Sequence, residues 1–385
     1  MLGRPGTLLS GDSRSGAALS LNFLGGTLPG QVSFTRASAA NYFNNAGLLT
    51  SAAINVPRFD YNPATLALNG LLIEQASTNS ALWSRDLTNA AWTTLLGTAA
   101  KDQTGIDGVA NSASSFVATS GNATTLQTVT HVSSTDNYAV WLKRITGTGE
   151  IDITLDGGVT WTNVTAQINS STWTRVSANE STVVNPAIGL RIVTNGDKIA
   201  VDQNQLEIGQ GIPTSDIITT TAAVSRSADV ATVPTTAFSY NPAASTVVST
   251  VMQNATLTDG TTPQQILEMD DTTSNNFVDV HFRSAASNFS RVIQVSGSQI
   301  VQVDAGTALG VGVVQKIGYS WQVGGASLYA NNTLIGRDTP ASIPPLTMLR
   351  IGARVSGIQY LNGWVRSMSY YNKRLPDAQL QALTH

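Results

Sequence analysis

The chain has no cysteine among its 385 residues. That absence excludes disulfides, thiolate metal centres and cysteine nucleophiles, and it points to assembly in a reducing cytoplasm, because a secreted β-module of this kind would ordinarily carry disulfides. Charge is scarce too. Asp, Glu, Lys and Arg make up 12% of residues, against about 25% in an average globular domain. The net charge is −3 and the best basic cluster is Lys373-Arg374, too small to displace counterions, so nucleic acid is not an expected partner. Histidine occurs three times, at 131, 281 and 385. A serine triad needs a histidine oriented by a carboxylate, and only His281 has a neighbour, Asp279, of the same strand parity; an ordinary strand histidine is the expected reading. No apolar run reaches membrane-spanning length and the N-terminus lacks the apolar core of a signal peptide. Neither membrane insertion nor export by a visible leader is expected.

What fills the space is Ser, Thr, Asn, Gly and Ala around a 42% apolar fraction, enough to build a core in each part of the chain. Residues 1–80 read as an extended, Gly-punctuated N-terminal arm. Its short alternating pieces, Leu19-Leu21-Phe23 and Val32-Phe34, pair as edge strands but cannot bury a core alone. Residues 81–232 and 233–385 read as two blocks of short strands, and the fold class expected is all-β: two β-sandwich, jelly-roll-like domains after the arm. Ile151, Ile153 and Leu155 alternate on one face, and Gly157-Gly158 turns the chain into Val159–Val164. Asn195-Gly196 predicts a second hairpin, between Arg191–Thr194 and Asp197–Val201. In the last block Gly324-Gly325 joins Lys316–Trp321 to Ser327–Ala330. A single helix is expected, at Asp377–Leu383, with Pro376 at its start and Asp377 near its positive end.

The stretch Val56–Asn79 organises the rest. Pro57 and Asn62-Pro63 keep it extended and turning, and Gly70 releases the apolar run Leu71-Leu72-Ile73. Together Pro57–Pro63, Gly70–Glu74 and Thr78-Asn79 resemble a segment that recurs in tailed-bacteriophage virion proteins of the tail-fibre or minor structural class. Val32–Ser38, Tyr42 and Gly47 are similar to that family's N-terminal region. Asn89–Trp92, Ser171–Arg175 and Val201–Glu207 resemble landmarks of its carbohydrate-binding-module-like jelly roll, and Ile217–Ala222 with Val224–Asp229 resemble its exit. Gly352, Leu361–Trp364, Tyr370-Tyr371, Arg374-Leu375 and Asp377–Leu383 resemble the end of a concanavalin A-like or laminin G-like sandwich.

The resemblance implies a non-enzymatic particle component, located in the virion and assembled in the host bacterial cytoplasm. It implies other virion proteins and further copies of the chain as partners, with host-surface polysaccharide as the candidate ligand. Arg58, Phe59, Asp60, Tyr61 and Glu74 would form the joint between an assembling arm and two presentation modules. A decoration or collar protein without ligand is the second reading, and a polysaccharide-degrading enzyme the third. No cofactor is expected beyond a candidate structural calcium, at Asp202 in the last jelly-roll strand or at Asp270-Asp271 in a loop of the second sandwich.

Sugar binding needs exposed aromatic rings beside a few polar anchors. Trp141 has the opposite parity to Tyr138, Val140 and Leu142, so it leaves the face those three bury and is the first candidate. Trp161, which opens the strand after Gly157-Gly158, is the second. Tyr360 and Tyr371 are the surface aromatics expected in the last block, while Trp92, Trp173 and Trp364 are expected in cores. For glycoside cleavage, Asp152 and Asp156 are about 13 Å apart along one strand, too far for a catalytic pair.

Overall fold

The computed structural model describes residues 16–255, 262–283, 289–304 and 311–385. The glycines at 3, 6 and 11, on which part of the arm reading rests, lie outside these residues. Four antiparallel sheets pair into two sandwiches, and a small hairpin, Ala40–Phe43 with Leu49–Ala52, stands apart from all four.

The first sandwich is the jelly-roll block. Its 7-stranded sheet runs through Thr174–Val183, Ser134–Thr146, Lys198–Ile208, Ala113–Ala118 and Gly97–Gln103. The 5-stranded sheet facing it is centred on Ile151–Thr154, Ala187–Ile192 and Ala123–Thr128. Alternation decides what lies between them. Tyr138, Val140 and Leu142 from one sheet meet Ile151, Ile153 and Leu155 from the other, all buried in one cluster. The turn at Asn195-Gly196 forms, with Gly196 at φ +85°, but it does not close the predicted hairpin. The strand before it, Ala187–Ile192, pairs with Ala123–Thr128 and Ile151–Thr154, and the strand after it pairs in the opposite sheet. The turn is a crossing between layers because Ile192 and Ile199 face the shared core from opposite sides.

The second sandwich takes strands from both ends of the chain. Its 8-stranded sheet contains Ala244–Gln253, Gln315–Gln322, Gly325–Ala330 and Gly363–Tyr371, and also Leu19–Asn22, Phe59–Tyr61 and Leu68–Ile73. Its 7-stranded sheet takes Ser33–Thr35 alongside Val230–Pro234. The segment read as an arm is thus woven into the C-terminal sandwich. Leu19, Leu21, Phe23, Val32 and Phe34 cannot shield one another, but against Val365, Met368 and Tyr370 they complete one buried core. The jelly roll leaves this sandwich after Ser77–Asn79 and returns through Val224–Arg226, and these two strands pair at the neck. The boundary expected near Val233 falls inside a strand. Gly70 is required where it stands: its φ is +137°, and a Cβ there would lie 2.5 Å from the Val365 carbonyl oxygen. The helix forms at Asp377–Leu383 with Leu380 buried against Gly318.

Candidate functional site

The two sandwiches meet at a buried charge network followed by a cavity. The network comes from Val56–Asn79 and the returning strand. Arg58 Nη2 donates to Glu74 Oε2 at 2.8 Å and to Asp229 Oδ2 at 2.6 Å, Arg36 reaches Asp229 at 3.1 Å, and Arg226 reaches Glu74 at 3.5 Å. Although burial pulls the Arg58 guanidinium down, the Asp229 and Glu74 carboxylates hold it above its ordinary value. Burial opposes the charged form of Glu74 as well, yet Arg226 and Arg58 keep its carboxyl at about 2. Arg58 also donates to the Asn41 carbonyl and to Ser215 Oγ, so one side chain ties the small hairpin, the neck and the jelly-roll exit together. Arg58 and Glu74 are 0% and 1% exposed; they form a joint within the chain and offer nothing to an outside partner. Phe59 packs partly buried on the second core, whereas Asp60 and Tyr61 turn towards the cavity.

The cavity, about 210 Å³, lies where the hairpin covers the outer face of the jelly roll. Tyr42, Phe43, Tyr61, Trp141 and Trp364 give it aromatic walls; Asp60, Asn69, Arg175, Asp216 and Asn254 give it polar ones. Among the described residues no histidine lines it. Trp141 does leave the jelly-roll core, as its parity predicts. It is not exposed, however: at 7% it sits in a small cluster with Phe43, Leu49 and Ile106, its ring 5.2 Å from that of Phe43. Strand parity names the face a residue occupies, and here the N-terminal hairpin covers that face. A second cavity of about 190 Å³ continues past Trp141 to Trp173. Trp173 is half-buried under Lys143, 5.1 Å from its ring centre.

Two Trp–Asp pairs frame the main cavity, one from each sandwich. Trp141 Nε1 donates to Asp216 Oδ1 at 3.0 Å. Trp364 Nε1 donates to Asp60 Oδ2 at 2.9 Å, and the Phe43 amide donates to Asp60 Oδ1 at 2.8 Å. Burial pushes the Asp60 carboxyl up to about 6 in spite of these donors, and burial raises Asp216 in spite of Arg175. Trp364, expected in a core, is half-buried and lines the cavity instead.

The other candidates lie elsewhere. Trp161 is half-buried, just before the short strand Thr162–Asn163, packed over Gly158 with the Arg191 guanidinium 4.6 Å from its ring centre. Tyr360 and Tyr371 are not surface aromatics: they are 5% and 1% exposed, because Tyr360 packs into the second core, and Tyr371, next to the core residue Tyr370, lies on the opposite face of its strand, which is covered as well. Asp202 is fully buried, its two oxygens taken by Arg85 Nε at 2.7 Å and Nη2 at 2.8 Å and by the Ile106 amide at 2.9 Å. Asp270 pairs with Arg350 at 2.6 Å, and Asp271 accepts from Thr273 and Asn276. Among the described residues no group of three or more Asp, Glu or His side chains is arranged to hold a metal. His281 Nδ1 does lie 3.2 Å from Asp279 Oδ1, on a strand of the second sandwich.

The sequence reading missed Asp216, Arg175 and Tyr42 as cavity residues. Arg175 stood in view beside Trp173, and its direct cross-strand pairing with Trp141 is the kind of signal that alternation can supply once two strands are known to be neighbours.

No family model and no curated protein matches the chain. Among solved structures, the chain is similar to the CBM40 of the Ruminococcus gnavus IT-sialidase bound to α2,3-sialyllactose, at 16% identity and a TM-score of 0.32 over 37% of this chain and 83% of that one. It is similar to domain 4 of a GH43 extracellular arabinanase from Geobacillus stearothermophilus in complex with arabinotriose, at 11% identity and a TM-score of 0.33 over 46% and 83% of the two chains. A third likeness, to the botulinum neurotoxin serotype D binding domain, has 16% identity and a TM-score of 0.32 over 40% of each chain. These likenesses assign this chain neither a ligand nor an activity; its all-β, two-sandwich architecture rests on its own sheets.

Proposed function

We propose that the chain is a non-enzymatic structural protein of a tailed-bacteriophage particle that holds host-surface glycan in the cavity between its two sandwiches. The observation that carries the ligand part is the cavity wall itself. Five aromatic side chains and a small set of buried polar groups converge on it, the mix that sugar recognition requires. The particle part is supported by the resemblance of Pro57–Asn79 to phage virion proteins and by the low charge and absent cysteine. A binding role rather than catalysis is supported by Asp60, both of whose oxygens are engaged by donors from the protein. In this reading the chain needs no cofactor and works as one of several identical copies.

The test is a glycan array probed with the full chain, its Tyr61→Ala variant and its Trp161→Ala variant. Binding is expected to a defined set of glycans, lost with Tyr61→Ala and kept with Trp161→Ala. A flat array would leave a decoration or collar protein without ligand. Electron microscopy of particles labelled with antibody against this chain tests the location, and label absent from every particle overturns it.

A further inference from the structure

We propose that the strand Thr174–Val183 is a docking edge for a second copy of this chain. The two strands pair antiparallel about a two-fold axis, so that the 7-stranded sheets of two jelly rolls run on as one. The inference does not rest on the glycan reading; it supplies the surface through which identical copies meet.

Thr174–Val183 stands at the end of its sheet. Ser134–Thr146 pairs with one side of it, and no described strand lies on the other. The outward N–H and C=O groups of such a strand are a template for another chain, and folded proteins blunt their edges by shortness, charge, proline or bulges. The other edges of the four sheets show this blunting. Phe59–Tyr61, Ser33–Thr35, Thr93–Leu95 and Thr162–Asn163 have three residues or fewer. Gly97–Gln103 carries Lys101 and Asp102, and Thr333–Asp338 carries Arg337 and Asp338. The pairing of Ser298–Asp304 is broken by a register shift between Ile293 and Gln294. Thr174–Val183 has 10 residues, no lysine and no proline, and its pairing is unbroken from Thr174 to Glu180.

The edge is also held straight. On the outer face Arg175 Nη1 donates to the Thr214 carbonyl and Asn179 Nδ2 to the Gly211 carbonyl, each at 2.7 Å. A strand fixed beforehand loses little freedom on pairing. Its chemistry selects a copy of itself. The exposed side chains Ser177, Ser181 and Thr182 are short and neutral, and in strand addition it is side-chain pockets that give a foreign peptide its specificity. The two charges of the strand, Arg175 and Glu180, differ in parity and so lie on opposite faces. In a two-fold pairing centred on Ser177, Arg175 faces Asn179 of the second copy and Glu180 faces its Thr174. No like charges meet, every residue keeps its face, and the isologous contact closes after two chains.

The experiment is sedimentation equilibrium of the full chain over a concentration series. It compares the parent, Ser177→Lys, Ser177→Glu and an equal mixture of the two variants. Ser177 is exposed, so neither change disturbs a core. The parent is expected to dimerise. Each variant alone should dissociate at least about fivefold more readily, because like charges then face each other across the axis. The mixture should recover the dimer, since lysine meets glutamate, and a variant weakened only by poor folding gains nothing from mixing. A parent that stays monomeric, an assembly indifferent to the charge at 177, or variants that mixing does not restore each overturn the proposal. Glycan binding is a separate readout, so its failure leaves the docking edge standing and the reverse holds too.

Discussion

Trp364 Nε1 donates to Asp60 Oδ2 at 2.9 Å across 304 residues of sequence. Asp60 in turn accepts the amide of Phe43, in the hairpin that roofs the cavity. One buried carboxylate therefore fastens the roof of the cavity to a strand near the other end of the chain. Its environment and that of the neighbouring charge network make several consequences measurable.

The first is a pH dependence at Asp60. Burial raises its carboxyl from an ordinary value of 3.8 to about 6. Between those values the folded protein holds a proton that the unfolded chain has released, so stability from this group is complete below about pH 4 and is lost as pH rises through 6. The loss approaches about 3 kcal/mol, from about 1.4 kcal/mol per unit. Trp364→Phe removes a donor to the ionised form and should push the Asp60 titration above 6, as read by carboxyl-carbon NMR; an unchanged or lower midpoint counts against this account.

Glu268 gives the same sign over a different window. Burial, with Asp279 adding like charge, pushes its carboxyl up to about 8. The stabilisation it brings below about pH 4.5 disappears through pH 8. Glu268→Gln, a neutral isostere of the protonated acid, should melt close to the parent at pH 5 and above it at pH 8. Parallel melting curves for the two proteins across that range would contradict the assignment.

Arg58→Ala should unfold more than a joint. It strips Glu74 and Asp229 of a buried cation that bonds both, and breaking a buried ionic group by removing one partner costs about 3–5 kcal/mol. Because Leu71 and Ile73 of the same stretch belong to the second core, calorimetry should show that sandwich melting earlier. A variant whose calorimetric trace matches the parent would return Arg58 to a peripheral role.

Gly70→Ala should be poorly tolerated at a position that looks innocuous in sequence. The new Cβ would lie 2.5 Å from the Val365 carbonyl oxygen at a φ of +137°, so the strand pairing between Leu68–Ile73 and Gly363–Tyr371 must shift. A loss above the roughly 1 kcal/mol scale of ordinary glycine effects is expected in denaturant titrations.

Much of the secondary structure was legible because it is local. The alternation of Ile151, Ile153 and Leu155 buries all three. The Gly324-Gly325 turn joins Gln315–Gln322 to Gly325–Ala330. The helix follows Pro376 and spans Asp377–Leu383. The parity of Trp141 correctly removed it from the jelly-roll core.

What covers a face was not legible. Trp141 became a cavity wall because a hairpin more than 80 residues upstream lies over it. Tyr371 became buried because the face of its strand opposite Tyr370 is covered too. Asn195-Gly196 reads as a hairpin in sequence and is a crossing between sheets in space. The sequence by itself determined an all-β chain, its strand faces and its turns, since these follow from side-chain alternation and backbone dihedrals within a few residues. Only the tertiary structure decided that the N-terminal strands close the C-terminal sandwich, and that residues 43, 60, 141, 175, 216 and 364 meet. Their meeting depends on which buried faces find one another, a free energy summed over contacts hundreds of residues apart.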